Sequence, residues 1–412
     1  MTIAADVTLP VQTLIMAGGR GERLYPLTAS RPKPAVPFAG VFRIVDFTLS
    51  NCVNSGLKGV SLLTQYKHEE IQSYIRQSWS SIWSGFTQEP LQCLPPSGAH
   101  SYRGTADAVF QNIGEVQRRG PKFVLILSAD HVYQMDYRKL LSYHSETNAD
   151  LTIATVEHPL KSAKNFGVVE IDSDSKVIAF QEKPSNPRPL PSSPGEALVN
   201  MGVYVFKREL LIQALNECCN TGKGSDFAQH LIPSLIGSAH VRAFHFRDEE
   251  NGIPSYWRDI GTIDSYYESS MELQRPGARF DPYQNRLWPS FPSPRYRNSS
   301  DIRARLLTNC RVRRSILSPG VHIGDGAVID SSVLMAGVWI GKGAQIRRAI
   351  IDEGVYIPDG AQIGFDRESD RQRYLVTDTG VVVVSETPNE ISPSFAFEAR
   401  RVESRRRLLH SI

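Results

Sequence analysis

The order of apolar and polar positions divides the chain into two textures. In the first, short apolar runs alternate with helix-like stretches. Thr13-Leu-Ile-Met-Ala17 and Phe123-Val-Leu-Ile-Leu127 carry no charge, as expected of strands buried on both faces of a mostly parallel sheet. Further strands are predicted at Leu151–Val156, Val168–Ile171, Val177–Gln181 and Val203–Phe206. Asp136 is placed to cap a helix running through His144 with Leu140 and Leu141 inward. Thr262 is placed to cap another that ends before Pro276-Gly277. This alternation predicts an α/β layered domain.

The second texture has another period. Val328, Leu334, Ile340 and Ile346 recur every six residues, and Ile351, Ile357 and Ile363 continue after a slip of one. Gly324, Gly341 and Gly364 each follow an apolar residue. A six-residue apolar repeat with glycine at the turns is the pattern of a parallel β-helix; an ordinary small β-domain does not require seven positions in phase. Between the two textures, Pro276, Pro282, Pro289, Pro292 and Pro294 punctuate a stretch without periodicity, read as a linker. The expected division is therefore 1–275, 276–300 and 301–412, the last ending in an edge strand at Val381–Val384 and a basic tail, Arg400 to Arg407.

A length of 412 residues agrees with two domains. The formal charge of +3 is small for this length and argues against a nucleic-acid binder. Five cysteines without a C-x-x-C pair predict reduced thiols, not a disulfide framework or a thiolate metal site. No stretch reaches the ~18 apolar residues of a membrane span. Met1 to Pro10 lacks the basic start and apolar core of a signal peptide, so a cytoplasmic location is expected.

The most informative stretch is Met16-Ala-Gly-Gly-Arg-Gly-Glu-Arg-Leu-Tyr-Pro-Leu-Thr28, followed by Arg31-Pro-Lys-Pro-Ala35. A strand runs out into Gly18, Gly19 and Gly21, whose backbone N–H groups can turn towards phosphate oxygens, and Arg20, Arg23 and Lys33 add charge at the same edge. It is not a Walker loop, because no Gly-Lys-Ser/Thr follows. It is not a dinucleotide fingerprint, because Leu24 stands where the third glycine belongs. Asp130 lies just past a buried strand, where open α/β sheets place their ligands.

Together with this loop, several segments resemble the bacterial ADP-glucose pyrophosphorylases, a family of sugar-nucleotide pyrophosphorylases. They include Phe42-Arg-Ile-Val-Asp-Phe47, Tyr102-Arg-Gly-Thr-Ala-Asp-Ala108, Asp130-His-Val-Tyr133, Phe166-Gly-Val168, Glu182-Lys-Pro184, Met201-Gly-Val-Tyr204 and Tyr256-Trp-Arg-Asp-Ile-Gly-Thr262. The resemblance runs from about residue 11 to 385. It implies a Rossmann-like nucleotidyltransferase domain with a mostly parallel mixed sheet, followed by a left-handed parallel β-helix. It also implies the reaction of ATP with glucose 1-phosphate to ADP-glucose and diphosphate, serving glycogen synthesis. Two polyanions must meet in that reaction; unit charges 4 Å apart interact by ~4 kcal/mol at an effective dielectric of 20, so cations must cancel several such terms.

By the same resemblance, Asp130 and Asp259 hold Mg²⁺, and Lys183 grips the sugar phosphate. Arg20 and Lys33 lie on the phosphates that leave, with Ala17, Gly18, Gly19, Gly21 and Arg23 around the triphosphate. Tyr102, Gly104 and Thr105 form the adenine-side loop; Gly167, Glu182, Asn200 and Tyr204 contact glucose; Asp107 matches the motif without a role. A homotetramer and a small anionic allosteric effector are implied, with Arg31, Arg347 and Arg348 as its candidates. The match breaks at Asn200, where many relatives carry serine, and at Leu94 to His100, where relatives carry a glutamine-bearing loop. It breaks again at Ser30, where some carry an effector-binding lysine. UDP- or dTDP-sugar formation on the same fold is the nearest alternative. A catalytically silent regulatory subunit is disfavoured because Asp130, Asp259, Lys183, Arg20 and Lys33 are all present. A β-helix acyltransferase would need a general-base histidine, and the repeat offers only His322.

Overall fold

The structure, a computed structural model, describes residues 10–97, 101–220, 224–248, 250–293 and 309–386. The expected basic tail Arg400 to Arg407, most of Met1 to Pro10, residues 98–100 of the Leu94 to His100 loop, and 294–308 lie outside the described residues. The chain forms two compact units, Met1–Gly19 with Phe47–Trp257, and Arg20–Asp46 with Arg258–Ile412.

The first unit is built on a nine-stranded mixed sheet. Its strands are β1 Val11–Met16, β2 Val60–Leu63, β3 Gln92–Leu94, β4 Phe123–Ser128, β5 Leu151–Pro159, β6 Gly167–Ile171, β7 Val177–Glu182, β8 Glu196–Lys207 and β9 Val241–His245. The order is β7-β6-β8-β4-β1-β2-β3, with β5 on β8 and β9 on β5. β4, β1, β2 and β3 run parallel, whereas β8 is antiparallel to β4, β5 and β6. The two charge-free runs are the central parallel strands: Leu14, Ile15 and Val124 to Leu127 are all fully buried.

β8 is much longer than its predicted Val203–Phe206. Its register slips between Asn200 and Tyr204, and Gly202 there takes the left-handed φ of +67°. A bulge of this kind breaks the apolar pattern by which a strand is recognised. The helix after Asp136 spans Tyr137–Glu146, and the Asp136 side chain accepts the Arg138 N–H at 3.0 Å. Leu140 and Leu141 are buried, as the pattern requires.

In the second unit a parallel β-helix is wound in seventeen-residue coils. Ile323 pairs with Ile340 and Ile340 with Ile357; Ile329 pairs with Ile346 and Ile346 with Ile363; Leu334 pairs with Ile351, and Ile351 with Val384. These aliphatics stack as the interior, at the rung spacing of about 4.8 Å. The slip of one seen in the repeat is thus a regular feature, because one side of each coil is a residue shorter. It also corrects one position: the inward residue is Ile329, and Val328 is only half-buried.

The corners differ from expectation too. They are turned by Gly320, Gly337 and Gly354 (φ 74°, 71° and 75°), by Gly326, Gly343 and Gly360 (75°, 66° and 67°), and by Arg314, Ser331 and Arg348 (45°, 49° and 50°). Gly324 and Gly341 are needed for another reason: a Cβ at either would lie 2.6 Å or 2.4 Å from the backbone nitrogen of the next coil. The expected edge strand is Val382–Val384, which extends a sheet of the β-helix parallel to Ala349–Ile351. The helix capped by Thr262 spans Ile263–Glu272, closed by a reciprocal Thr262–Ser265 capping box. Among the described residues no helix is long and apolar enough to cross a membrane.

One core residue titrates. His144 is fully buried, its Nδ1 is 2.7 Å from Thr152 Oγ1, and its ring meets Phe123 edge-on. Burial pushes its pKa down to about 4, with Lys207 and Lys122 adding to the effect against Asp150. The unfolded histidine binds its proton near pH 6.5, so the unfolded state takes up protons first as pH falls. Stability from this residue is therefore complete above about pH 6.5 and declines towards pH 4, by roughly 3 kcal/mol. Denaturant midpoints recorded between pH 7 and 4 should fall more steeply for the natural protein than for His144→Gln; parallel curves would refute the assignment.

Candidate functional site

The glycine loop is shaped by its neighbours. Ala17 is buried, and its N–H donates to Leu63 O at 2.8 Å, continuing the β1–β2 ladder for one more step. A Cβ on Gly18 would come within 3.2 Å of Gln65 Cβ, while Gly19 faces open space. Gly21 takes a left-handed φ of +68°, and a Cβ there would lie 2.8 Å from Lys33 Cβ. The loop thus closes over the stem of Lys33, and Thr28 Oγ1 pins it by donating to Gly21 O at 3.0 Å.

Lys33 itself is buried, and its ammonium donates to Asp259 Oδ1 at 3.0 Å. A Cβ on Gly261 would meet Asp259 Oδ2 at 2.9 Å and an Arg23 guanidinium nitrogen at 3.2 Å. Arg23, Lys33, Asp259 and Gly261 therefore converge, while Arg20 is exposed. Arg258 forms a two-pronged pair with Glu272, at 3.0 and 2.8 Å.

In the first unit Asp130 follows β4, and Ser128 Oγ donates to its Oδ1 at 2.5 Å; His131 Nε2 is 3.5 Å from the same oxygen. An aromatic wall adjoins it. His131 lies edge-on to Trp257 at 5.1 Å, Trp257 to Phe166 at 5.5 Å, and Phe166 O accepts the Lys183 N–H at 3.0 Å. Lys183 has a left-handed φ of +48°, an exposed side chain, and its ammonium 3.4 Å from Glu182 Oε1. Burial raises the Glu182 pKa, with Lys183 pulling the other way. Gly167 is opposite Glu182 in the β6–β7 ladder; a Cβ there would lie 2.6 Å from the Phe180 ring and 2.9 Å from Glu182 Oε2. At the β8 bulge, Asn200 Nδ2 donates to Tyr204 Oη at 2.7 Å, and Tyr204 stacks on Phe227.

The Tyr102 loop is held from several sides. Tyr102 N–H donates to Gln65 Oε1 at 2.5 Å; its hydroxyl donates to Leu94 O at 3.0 Å and accepts from Asn112. A Cβ on Gly104 would lie 2.4 Å from Ser225 O, which accepts the N–H groups of Ala106 and Asp107 at 2.9 and 3.0 Å. Thr105 Oγ1 donates to Asp226 Oδ2 at 2.8 Å. Asp107, left without a role by its motif, locks this loop by accepting from Arg103 N, Nε and Nη2 and from Gln111. Burial alone would raise its pKa; the Arg103 hydrogen bonds outweigh that and hold it below the usual carboxylate value.

Carboxylate oxygens at Asp130 and Asp259 are hard donors of the type that suits a divalent ion such as Mg²⁺. Residues 12–275 match the family described as Nucleotidyl transferase, and residues 298–384 match the family GlmU-like, C-terminal hexapeptide. The chain is 40% identical to glucose-1-phosphate adenylyltransferase 2 of Alkalilimnicola ehrlichii over 90% of its own length and 92% of the relative's. It is 40% identical to glucose-1-phosphate adenylyltransferase of Koribacter versatilis (91% and 95%) and 38% identical to that of Rhodopirellula baltica (92% and 91%). The chain belongs to the glucose-1-phosphate adenylyltransferase family.

Members of nucleotidyltransferase families generally use a divalent metal, and the hexapeptide match accords with a left-handed β-helix. Against the adenylyltransferase family resemblance, two residues were not anticipated. Asp226 bridges Thr105 to the segment Phe227–Leu231 by accepting the Ala228 and Gln229 N–H groups, and Phe227 backs Tyr204. The signal for both was an N-capping Asp before an aromatic residue, too common a pair to single out. Of the candidate effector residues, Arg31 is buried and paired with Asp352 and Glu353. Arg348 donates from Nε to Thr379 O at 3.2 Å and lies over the Tyr267 ring, and Arg347 is exposed.

The crowding at Gly104 yields a test. Gly104→Ala should displace the Ser225 carbonyl and detach Thr105 from Asp226, lowering turnover about 100-fold in a protein that still folds. Wild-type turnover in a folded Gly104→Ala protein would remove this loop from the site.

Proposed function

We propose that this chain is a glucose-1-phosphate adenylyltransferase, joining ATP and glucose 1-phosphate to give ADP-glucose and diphosphate. The observation that carries the reading is identity of 40% along nine tenths of the chain to relatives bearing that name. A phosphate oxygen of glucose 1-phosphate attacks the ATP α-phosphorus in line, and diphosphate leaves. The glycine loop, Ala17 to Gly21, and Arg23 receive the triphosphate through backbone N–H groups and charge. Arg20 and Lys33 neutralise the leaving diphosphate, and Tyr102, Gly104 and Thr105 shape the adenine side. Lys183 draws the sugar phosphate into place as a compact charge, while Gly167, Glu182, Asn200 and Tyr204 receive the hydroxyls of glucose.

Asp130 and Asp259 would hold the Mg²⁺; when bound, that ion supplies positive charge against the triphosphate. The assignment of residues 1–275 to catalysis, 276–300 to a linker and 301–412 to the β-helix with its tail belongs to the same proposal. So do a homotetramer, a cytoplasmic location and a role in α-glucan synthesis. A small anionic effector is also part of it, with Arg347 and Arg348 as its candidates and Arg31 reached only in competition with Asp352 and Glu353.

Diphosphate release with glucose 1-phosphate should be greatest with ATP and far lower with UTP, dTTP or GTP; preference for UTP would reassign the base. Asp130→Ala and Asp259→Asn should each lower kcat by at least about 100-fold while weakening Mg²⁺ or Mn²⁺ binding measured by titration. Full activity in either would reject that carboxylate's role.

A further inference from the structure

The turn that carries Lys33 is anchored at both ends by carboxylates of the β-helix. Lys33–Ala35 is one short helical turn between Pro32 and Val36, stiffened by Pro32 and Pro34. Immediately before it, Arg31 Nη1 donates to Asp352 Oδ1 at 2.9 Å, and Arg31 Nη2 lies 3.2 Å from Glu353 Oε2. At its other end Arg43 Nη1 donates to the Ala35 carbonyl at 2.5 Å, and Arg43 Nη2 lies 3.7 Å from Glu353 Oε1. Asp352 is fixed in turn: its N–H donates to Val384 O at 2.9 Å, and its Oδ1 also accepts the Glu353 N–H at 2.8 Å.

Two arginines thus flank and clamp this short proline-stiffened turn, and each finds its counter-charge on the adjoining residues 352 and 353. A buried ion pair of this kind adds little net stability over apolar packing. It does fix direction, because a guanidinium fork meets a carboxylate in few geometries. Lys33, thus oriented, reaches Asp259 with its ammonium.

We propose that Asp352 and Glu353 are positioning residues for adenylyl transfer: together they form a built-in dianion that holds Lys33 in place through Arg31 and Arg43. The inference rests on the adenylyltransferase reading. It has a chemical corollary. With the two carboxylates neutralised, Arg31 and Arg43 lose these counter-charges, and a small divalent oxyanion can take their place and restore the clamp.

The test uses the full-length protein and the variants Glu353→Gln, Asp352→Asn and their combination, with sulfate as the probe and chloride at equal ionic strength as the control. In folded double variant, kcat should drop about tenfold or more, with KM for glucose 1-phosphate within about twofold. Sulfate should raise kcat of the double variant at least about threefold and leave that of the natural protein unchanged. Sulfate should also raise the unfolding temperature of the double variant more than that of the natural protein. Unchanged kcat in a folded variant would overturn the positioning role, and lost activity without sulfate rescue would overturn the dianion. Should the double variant not fold, Glu353→Gln alone decides, since the Glu353 side chain is 25% exposed against 11% for Asp352, and its partial loss and rescue follow the same rule. Absence of activity in the natural protein would instead reject the adenylyltransferase reading, and the sulfate-dependent unfolding shift would still test the clamp.

Discussion

The proposed triphosphate end of the site depends on how Lys33 is held. A buried lysine is costly unless its charge is matched, and here the match is Asp259 at 3.0 Å. Its stem is trapped because Gly21 has no Cβ, and any side chain at that position would collide with Lys33. The glycine loop is therefore more than a cradle of backbone N–H groups. Its left-handed residue makes room for the Lys33 stem beside it. In the proposed reaction the arriving triphosphate offers that ammonium a second anion, so the pair with Asp259 keeps the site stable before substrate binds without sealing it.

The β-helix was readable because its physics is repetitive. Each coil must return an aliphatic residue to the same inner wall, and that need writes itself into the chain at near-constant spacing. The spacing is five at one corner and six at the others, which is why a strict six-residue count selects Val328 where Ile329 points inward. Corner residues were harder to read. Arg314, Ser331 and Arg348 take left-handed φ without being glycine, and nothing in a non-glycine letter marks that conformation. Gly324 and Gly341 look like turn glycines but serve close approach between coils.

In the first unit the same contrast holds at finer scale. The fully buried parallel strands and the capped helices were legible, since burial and capping each leave a local signature. The β8 bulge was not, because Gly202 interrupts the strand pattern at the place where Asn200 and Tyr204 meet. Most candidate site residues lie in motifs that carry the family resemblance, and their packing explains why some of those positions are glycine. Gly104 is crowded by the Ser225 carbonyl and Gly167 by Phe180 and Glu182. Asp226 escaped notice because its partner Thr105 is 121 residues away, a separation that no local pattern encodes.

That long-range character explains how one chain can place charge so closely. Arg31 and Asp352 are 321 residues apart, and Lys33 and Asp259 are 226 apart. Each pair joins a segment near the N-terminus to an element formed much later in the chain. The segment around Lys33 has little regular structure of its own, only one short turn. Its precision is borrowed from the stacked coils, whose interior aliphatics leave almost no freedom to shift. On the proposed reading the β-helix is a rigid support for the Lys33 charge, since Asp352 and Glu353, which pair with the arginines flanking Lys33, belong to it.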